Sequence, residues 1–139
     1  QYFATYPGIK KYIDDQVAAA RAKGYVETLL GRRRYLRDID SRNQAVRGHS
    51  ERNAINAPIQ GTAADIVKLA MIRIHDRLPR EGFASPMILQ VHDELVFDAY
   101  SSEVEALREV VKAEMEAAFA LKVPLVAETG VGRTWLQAH

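Results

Sequence analysis

An α+β fold, with helices packed on an antiparallel sheet, is what this sequence predicts, and three observations carry the prediction. Apolar residues recur at helical spacing in three stretches, and short β-type runs pair up around turns. The two kinds of segment then alternate as helix, hairpin, two helices, hairpin, helix and strand. At 139 residues the chain can bury a real hydrophobic core, and 47% hydrophobic with 27% charged residues is an ordinary globular balance.

Pro7-Gly8 punctuates the start. Ile9, Tyr12, Ile13, Val17 and Ala20 then form one stripe of a helix over 9–22, and Gly24 suits the position just past its end. Tyr2, Phe3 and Tyr6 read as core or staple residues. From Tyr25 to Tyr35 the period changes to short β-type runs around Gly31, a hairpin. Asp40-Ser41 offers a cap for a second helix running to Ala57. Pro58 should end or kink it, because proline has no amide donor and clashes with the preceding turn.

Thr62 can cap a third helix after Gly61, with Ala63, Ile66, Val67, Ala70, Met71, Ile74 and Leu78 on its apolar face. Pro79, Gly82 and Pro86 mark a loop, and MILQVHDELVFDA then gives two β-type runs meeting at His92-Asp93. Ser102 with Glu105 has the capping-box pattern. It opens a helix from about 103 to 121 with Val104, Leu107, Val111, Met115 and Ala118 inward. A last strand is expected over 123–128, and Trp135 reads as a packing anchor in the tail. No repeat or linker divides the chain, so 1–139 reads as one domain.

Several classes are excluded at once. Without cysteine there is no disulfide, zinc–thiolate site or Cys nucleophile. No apolar run approaches the roughly 18–20 residues of a membrane span, and no basic-then-apolar leader opens the text. Gln1 makes the sequence read as a fragment. The net charge of +1 hides a strong asymmetry. Between Arg32 and Arg52 seven arginines face three acids, a surplus of +4, whereas from Glu103 to Glu116 five glutamates face two cations, leaving −3. The basic stretch could face phosphates or be a solvated face.

The sharpest chemistry is at His92-Asp93-Glu94. Carboxylates are costly to bury unpaired, and Mg²⁺ is a hard cation bound through one or two carboxylates plus substrate phosphates. Two such ions about 4 Å apart would clamp the attacking and leaving oxygens of an in-line displacement. A plain surface turn is the alternative. Neighbours in extended chain point to opposite faces, so Asp93 and Glu94 cannot easily bind one ion. A two-metal site would need another carboxylate, with Asp65 and Asp98 the nearest in sequence. Arg52, Asn56 and Gln60 recur every four residues, which aligns them on one helix face unless Pro58 displaces Gln60. A guanidinium with two amides suits phosphates, sugars and base edges, and a solvent-exposed stripe is the competing reading. His49, His75 and His139 stand alone.

Together, ERNAINAPIQGTAADIVKLAM, LQVHDELVF and VPLVAETGVGRTWLQAH, preceded by YPGIKKYID and GYVETLLGRRRYL, resemble the C-terminal end of the bacterial DNA polymerase I family (family A). The resemblance spans essentially all 139 residues, in the family's order. It implies a single partial domain, the C-terminal part of a polymerase palm, in a cytoplasmic, nucleoid-associated and membrane-free enzyme. Asp93 would match the aspartate bridging two catalytic Mg²⁺ ions, and Glu94 the adjacent acid supporting the site. His92 would match the histidine near the primer terminus. Arg52, Asn56 and Gln60 would match contacts to the DNA primer-template, where minor-groove acceptors are nearly alike on every base pair. Arg32 and Arg33 would lie toward the nucleic-acid backbone.

Arg37 departs from the proline usual in the family. The family's first catalytic aspartate, its dNTP-binding fingers helix and its thumb have no counterpart in this sequence. The resemblance therefore implies half of a two-metal nucleotidyl-transfer site, inactive alone and needing the rest of a polymerase chain. Two other readings compete. One is a non-catalytic DNA-binding or split-polymerase module. The other is a metal-dependent phosphohydrolase of the His-Asp type, which resembles a helical bundle with its His-Asp pair on a helix.

Overall fold

The computed structural model describes residues 2–138. His139 therefore lies outside the described residues, as does Gln1. The class is α+β, as expected, with the strands in two separate two-stranded antiparallel ribbons. The chain forms two compact units, one up to Ala63 and one from Ala64 onward.

In the first unit a short helix, α1 (Tyr2–Thr5), precedes α2 (Pro7–Lys23). Pro7 starts α2 at a position where its missing N–H costs nothing, and Gly24 ends it in the left-handed conformation at φ 76°. Gly24 donates to the Ala20 carbonyl at 2.8 Å and accepts from Leu36 N at 2.8 Å, tying the helix end to the hairpin that follows. That hairpin pairs β1 (Tyr25–Glu27) with β2 (Arg33–Tyr35), with Val26 opposite Arg34 and Gly31 at φ 83° in the connection. Ala20, Val26, Leu36, Ile39 and Ala54 form the core, with Val17 and Ala57 against it.

The aromatics at the start depart from expectation. Tyr2, Phe3 and Tyr6 are 60%, 47% and 53% exposed and pack on one another, with ring centroids 5.6 and 5.3 Å apart, instead of entering the core. They lie on α1 or the residue after it, and a four-residue helix is too short to carry a stripe inward.

The two middle helices expected around Pro58 are one. Helix α3 runs without interruption over 37 residues (Gln44–Arg80). Its cap is Asn43, whose Oδ1 accepts from Ala45 N at 3.0 Å, two residues beyond the Asp40-Ser41 expected. Pro58 removes the donor that would meet Ala54 O, and two neighbouring carbonyls take side-chain donors. The Tyr12 hydroxyl donates to Ile55 O at 3.0 Å, and Thr62 Oγ1 donates back to Pro58 O at 2.6 Å. Thr62 is thus an interior residue of α3 and not the cap of a new helix.

The second unit contains the rest of α3, a hairpin of β3 (Met87–Val91) and β4 (Glu94–Phe97), α4 (Val104–Glu116) and α5 (Trp135–Ala138). The predicted stripe of α3 is the core here. Ala70, Ile74 and Leu78 meet Leu107, Val111 and Ala118, with Ile66, Leu95, Phe97 and Met115 packed around them. Among the expected members only Ala63 is exposed.

Helix α4 is shorter than expected and does not use Ser102 as a cap. Glu103 occupies that position, and its carboxylate turns to the loop before β3. There it accepts from Ala84 N at 3.1 Å, Ser85 N at 3.0 Å and Ser85 Oγ at 2.6 Å. Arg73 Nη1 donates to Ala117 O at 2.7 Å at the other end of α4. The strand expected over 123–128 does not form. Its residues find no ladder partner among the described residues, and Val123 and Val126 are 65% and 74% exposed. Trp135, expected to pack down, is 50% exposed in α5.

Candidate functional site

The acidic tip lies in the second unit. Val91 pairs with Glu94, so His92 and Asp93 are the whole connection between β3 and β4. Two-residue hairpins use primed turns, which require a positive φ at the first loop residue, and His92 supplies it at φ 54°. Histidine tolerates that region better than most side chains. Gln90 Nε2 donates to the His92 carbonyl at 2.9 Å, bracing the turn from within β3.

The turn leaves His92 and Asp93 exposed and Glu94 half-buried at the first position of β4. Asp93 takes part in no hydrogen bond or ion pair among the described residues, so its oxygens are available to a cation. Carboxylate oxygen is the donor that Mg²⁺ prefers, and the fit to one ligand of a magnesium site is good. Among the described residues no three His, Asp or Glu side chains gather into a metal cluster. Asp65 is buried on α3, and Asp98 is exposed beyond β4. The His92-Asp93 pair sits on a β-turn, which removes the helical setting on which the phosphohydrolase reading rests.

The polar row lies in the first unit. Because α3 is continuous through Pro58, Arg52, Asn56 and Gln60 stay on one slowly winding line, and all three are exposed. The opposite side of the same stretch carries Ser50 and Ala54, both buried. Row and acidic tip thus belong to different units, and each is built by its own local contacts.

Arg32 and Arg33 are engaged inside the first unit. The Arg32 guanidinium donates to the Gly61 carbonyl at 3.0 Å. Arg33 binds Glu27 at 2.8 Å and lies 4.6 Å over the Tyr25 ring. The hydrogen bond that Arg33 donates to Glu27, followed by the one it donates to Tyr35, raises the Arg33 pKa. Arg32, Arg33, Thr28, Pro58 and Gln60 line one cleft. The contacts made by Thr28 and Thr62 were not legible in the sequence. The one available signal was a threonine four residues after a helical proline, the spacing at which a hydroxyl reaches back to a carbonyl.

Residues 1–137 match the model of DNA polymerase family A. The chain is 53% identical over 137 residues to DNA polymerase I of Streptococcus pneumoniae, covering 99% of this chain and 16% of that protein. It is 51% identical over 138 residues to DNA polymerase I of Geobacillus stearothermophilus, again covering 99% of this chain and 16% of the relative. Among solved structures it superposes with a TM-score of 0.96, at 47% identity, on the POL domain of Pol1 from M. smegmatis in complex with DNA primer-template and dNTP. That match covers 99% of this chain and 24% of the other. The chain therefore spans about a sixth of the length of the curated relatives it matches. With its model matched from the first residue nearly to the last, the chain belongs to DNA polymerase family A.

Proposed function

We propose that this chain is part of the palm of a template-directed DNA polymerase, one partial domain over 1–139 that contributes one carboxylate of a two-metal site and part of the primer-template surface. The observation that carries the proposal is Asp93, free and exposed at the tip of a two-residue hairpin, in a chain of this family. In the reaction the primer 3′-hydroxyl attacks the α-phosphate of a dNTP and pyrophosphate leaves. Asp93 would hold Mg²⁺, which when bound supplies charge stabilisation to the transferring phosphoryl group. Glu94, half-buried at the first position of β4, supports the site without sharing the ion. His92 lies toward the primer terminus. Arg52 grips phosphate or sugar, while Asn56 and Gln60 contact base edges in a groove whose acceptors vary little with sequence.

With Asp93 as its one free carboxylate at the tip, the chain needs a second carboxylate and a dNTP site from other polypeptide. It would work in the cytoplasm on nucleoid DNA. Among the described residues no helix is long and apolar enough to cross a membrane.

Primer extension with Mg²⁺ and four dNTPs tests this. The full-length protein should extend a primer, and Asp93→Ala should lower the rate by about a hundred- to a thousandfold or more, the scale of removing one group that stabilises developing charge. The 139-residue chain alone should extend nothing. Normal extension by Asp93→Ala would sink the catalytic assignment, and extension by the short chain would show that its own residues complete the site. The exposed row on α3 belongs to a different unit from the acids and favours a second reading, a non-catalytic or split DNA-binding module. That reading predicts primer-template binding with no extension by the full-length protein.

A further inference from the structure

The cleft beside Pro58 contains a set of contacts that the reaction above does not use. Five residues of α3, Pro58 to Thr62, are gripped by the connection between β1 and β2. Leu29 N donates to Thr62 Oγ1 at 3.0 Å, while the same hydroxyl donates to Pro58 O at 2.6 Å. Arg32 Nη2 donates to Gly61 O at 3.0 Å. The connection is itself held closed, with Arg32 N donating to Thr28 Oγ1 at 3.1 Å and Thr28 N to Arg32 O at 3.0 Å. Thr28 and Thr62 are both buried, and both hydroxyls are used in these contacts. At Gly61 the two elements approach as closely as packing allows. A Cβ there would stand 2.6 Å from Thr28 Cγ2 and 3.2 Å from Arg32 Nη2.

A proline in a helix removes a rung of the hydrogen-bond ladder and gives the helix freedom to bend. Gln60 follows that weak point by two residues, immediately before the gripped glycine. Its side chain makes no hydrogen bond among the described residues, so the α3 backbone is what places the base of this side chain. Arg52 lies before the proline, outside the grip.

We propose that the β1–β2 connection is a clasp on the Pro58 turn of α3, and that Thr28, Arg32, Gly61 and Thr62 are positioning residues that hold Gln60 in place for primer-template. The inference rests on the reading of Gln60 as a primer-template contact. In the clasp, Gly61 admits the Thr28 methyl, Thr62 links the Leu29 amide to the Pro58 carbonyl, and Arg32 fastens the Gly61 carbonyl.

The test is a double-mutant cycle in the full-length protein, read as kcat and KM for single-nucleotide primer extension, with melting temperatures beside it. Gly61→Ala should lower kcat/KM by roughly ten- to a hundredfold, the scale of an ångström-sized misplacement. Gln60→Ala should show a similar loss, and the double variant should be no worse than Gln60→Ala alone. Adding Thr28→Ser to Gly61→Ala removes the clashing methyl and should restore activity. If Gly61→Ala does not fold, Thr62→Val provides the same cycle. Losses that add fully in the double variant, undiminished activity in Gly61→Ala, or no rescue in a folded Thr28→Ser/Gly61→Ala protein would each overturn the clasp. Undiminished extension by Gln60→Ala would instead overturn the contact reading and leave the clasp nothing to position.

Discussion

Glu103 and Asp93 are two carboxylates in one unit with opposite surroundings. Asp93 projects from a turn with its oxygens unoccupied by protein, whereas Glu103 is saturated by two backbone amides and the Ser85 hydroxyl. The Ser85 hydroxyl, then the Ala84 amide, hold the Glu103 carboxyl below its ordinary value of 4.5. A carboxyl depressed on folding adds stability that is fully present above the unfolded value and lost as pH falls through the folded one. Glu103→Gln should therefore melt at lower temperature than the parent near pH 7, with the gap closing as pH drops below about 4.5. A gap that persists unchanged in acid would mean the charge is not what holds the loop. The sequence revealed Asp93 because its chemistry was out of place between two apolar runs. It concealed Glu103, whose partners lie 18 and 19 residues away and are mostly backbone amides.

Between elements, the limit of legibility falls at Pro58. The apolar stripe after it, Ala63 apart, faces inward as its helical spacing predicts, and Ile74, 0% exposed, belongs to the resulting core. Ile74→Ala should cost about 2–5 kcal/mol in urea unfolding, the range for deleting a buried branched side chain. A loss below about 1 kcal/mol would show that the site collapses to fill the space. The helix continues through the proline with support from outside it: Tyr12 of α2 donates to Ile55 O, and the β1–β2 connection holds the Pro58–Thr62 turn through Leu29 and Arg32. Local rules count donors within a segment and cannot foresee that supply. The missing strand over 123–128 has the converse cause. Its residues have β-type character, but among the described residues no neighbouring edge completes a ladder.

On the scale of the whole molecule, charge bears most directly on function. Of the seven arginines between Arg32 and Arg52, Arg33 and Arg47 lie within ion-pair distance of glutamates, while Arg34, Arg37, Arg42 and Arg52 are exposed and outside every ion pair among the described residues. On the proposed primer-template reading, these are the charges that would release counterions from DNA. Arg52→Ala should weaken primer-template binding and reduce the slope of log affinity against log salt by about one. An unchanged slope would place Arg52 off the phosphate path. The family assignment and the α+β class were legible because motifs along the whole length agree in order.

The hairpin that carries Asp93 also has a consequence for how the site comes into being. Its acids are brought to the tip by pairing within Met87–Phe97, and a β-hairpin of this kind forms in about 1–10 μs. Two isolated strands hold together only marginally, so the fast step has to be made durable by what lies at the base of the ribbon. Asp98 N donates to Pro86 O at 3.0 Å there, beside Ser85 and its Glu103 latch. The turn that presents Asp93 is thus built by local pairing, while its foot is held by Glu103 at the start of α4.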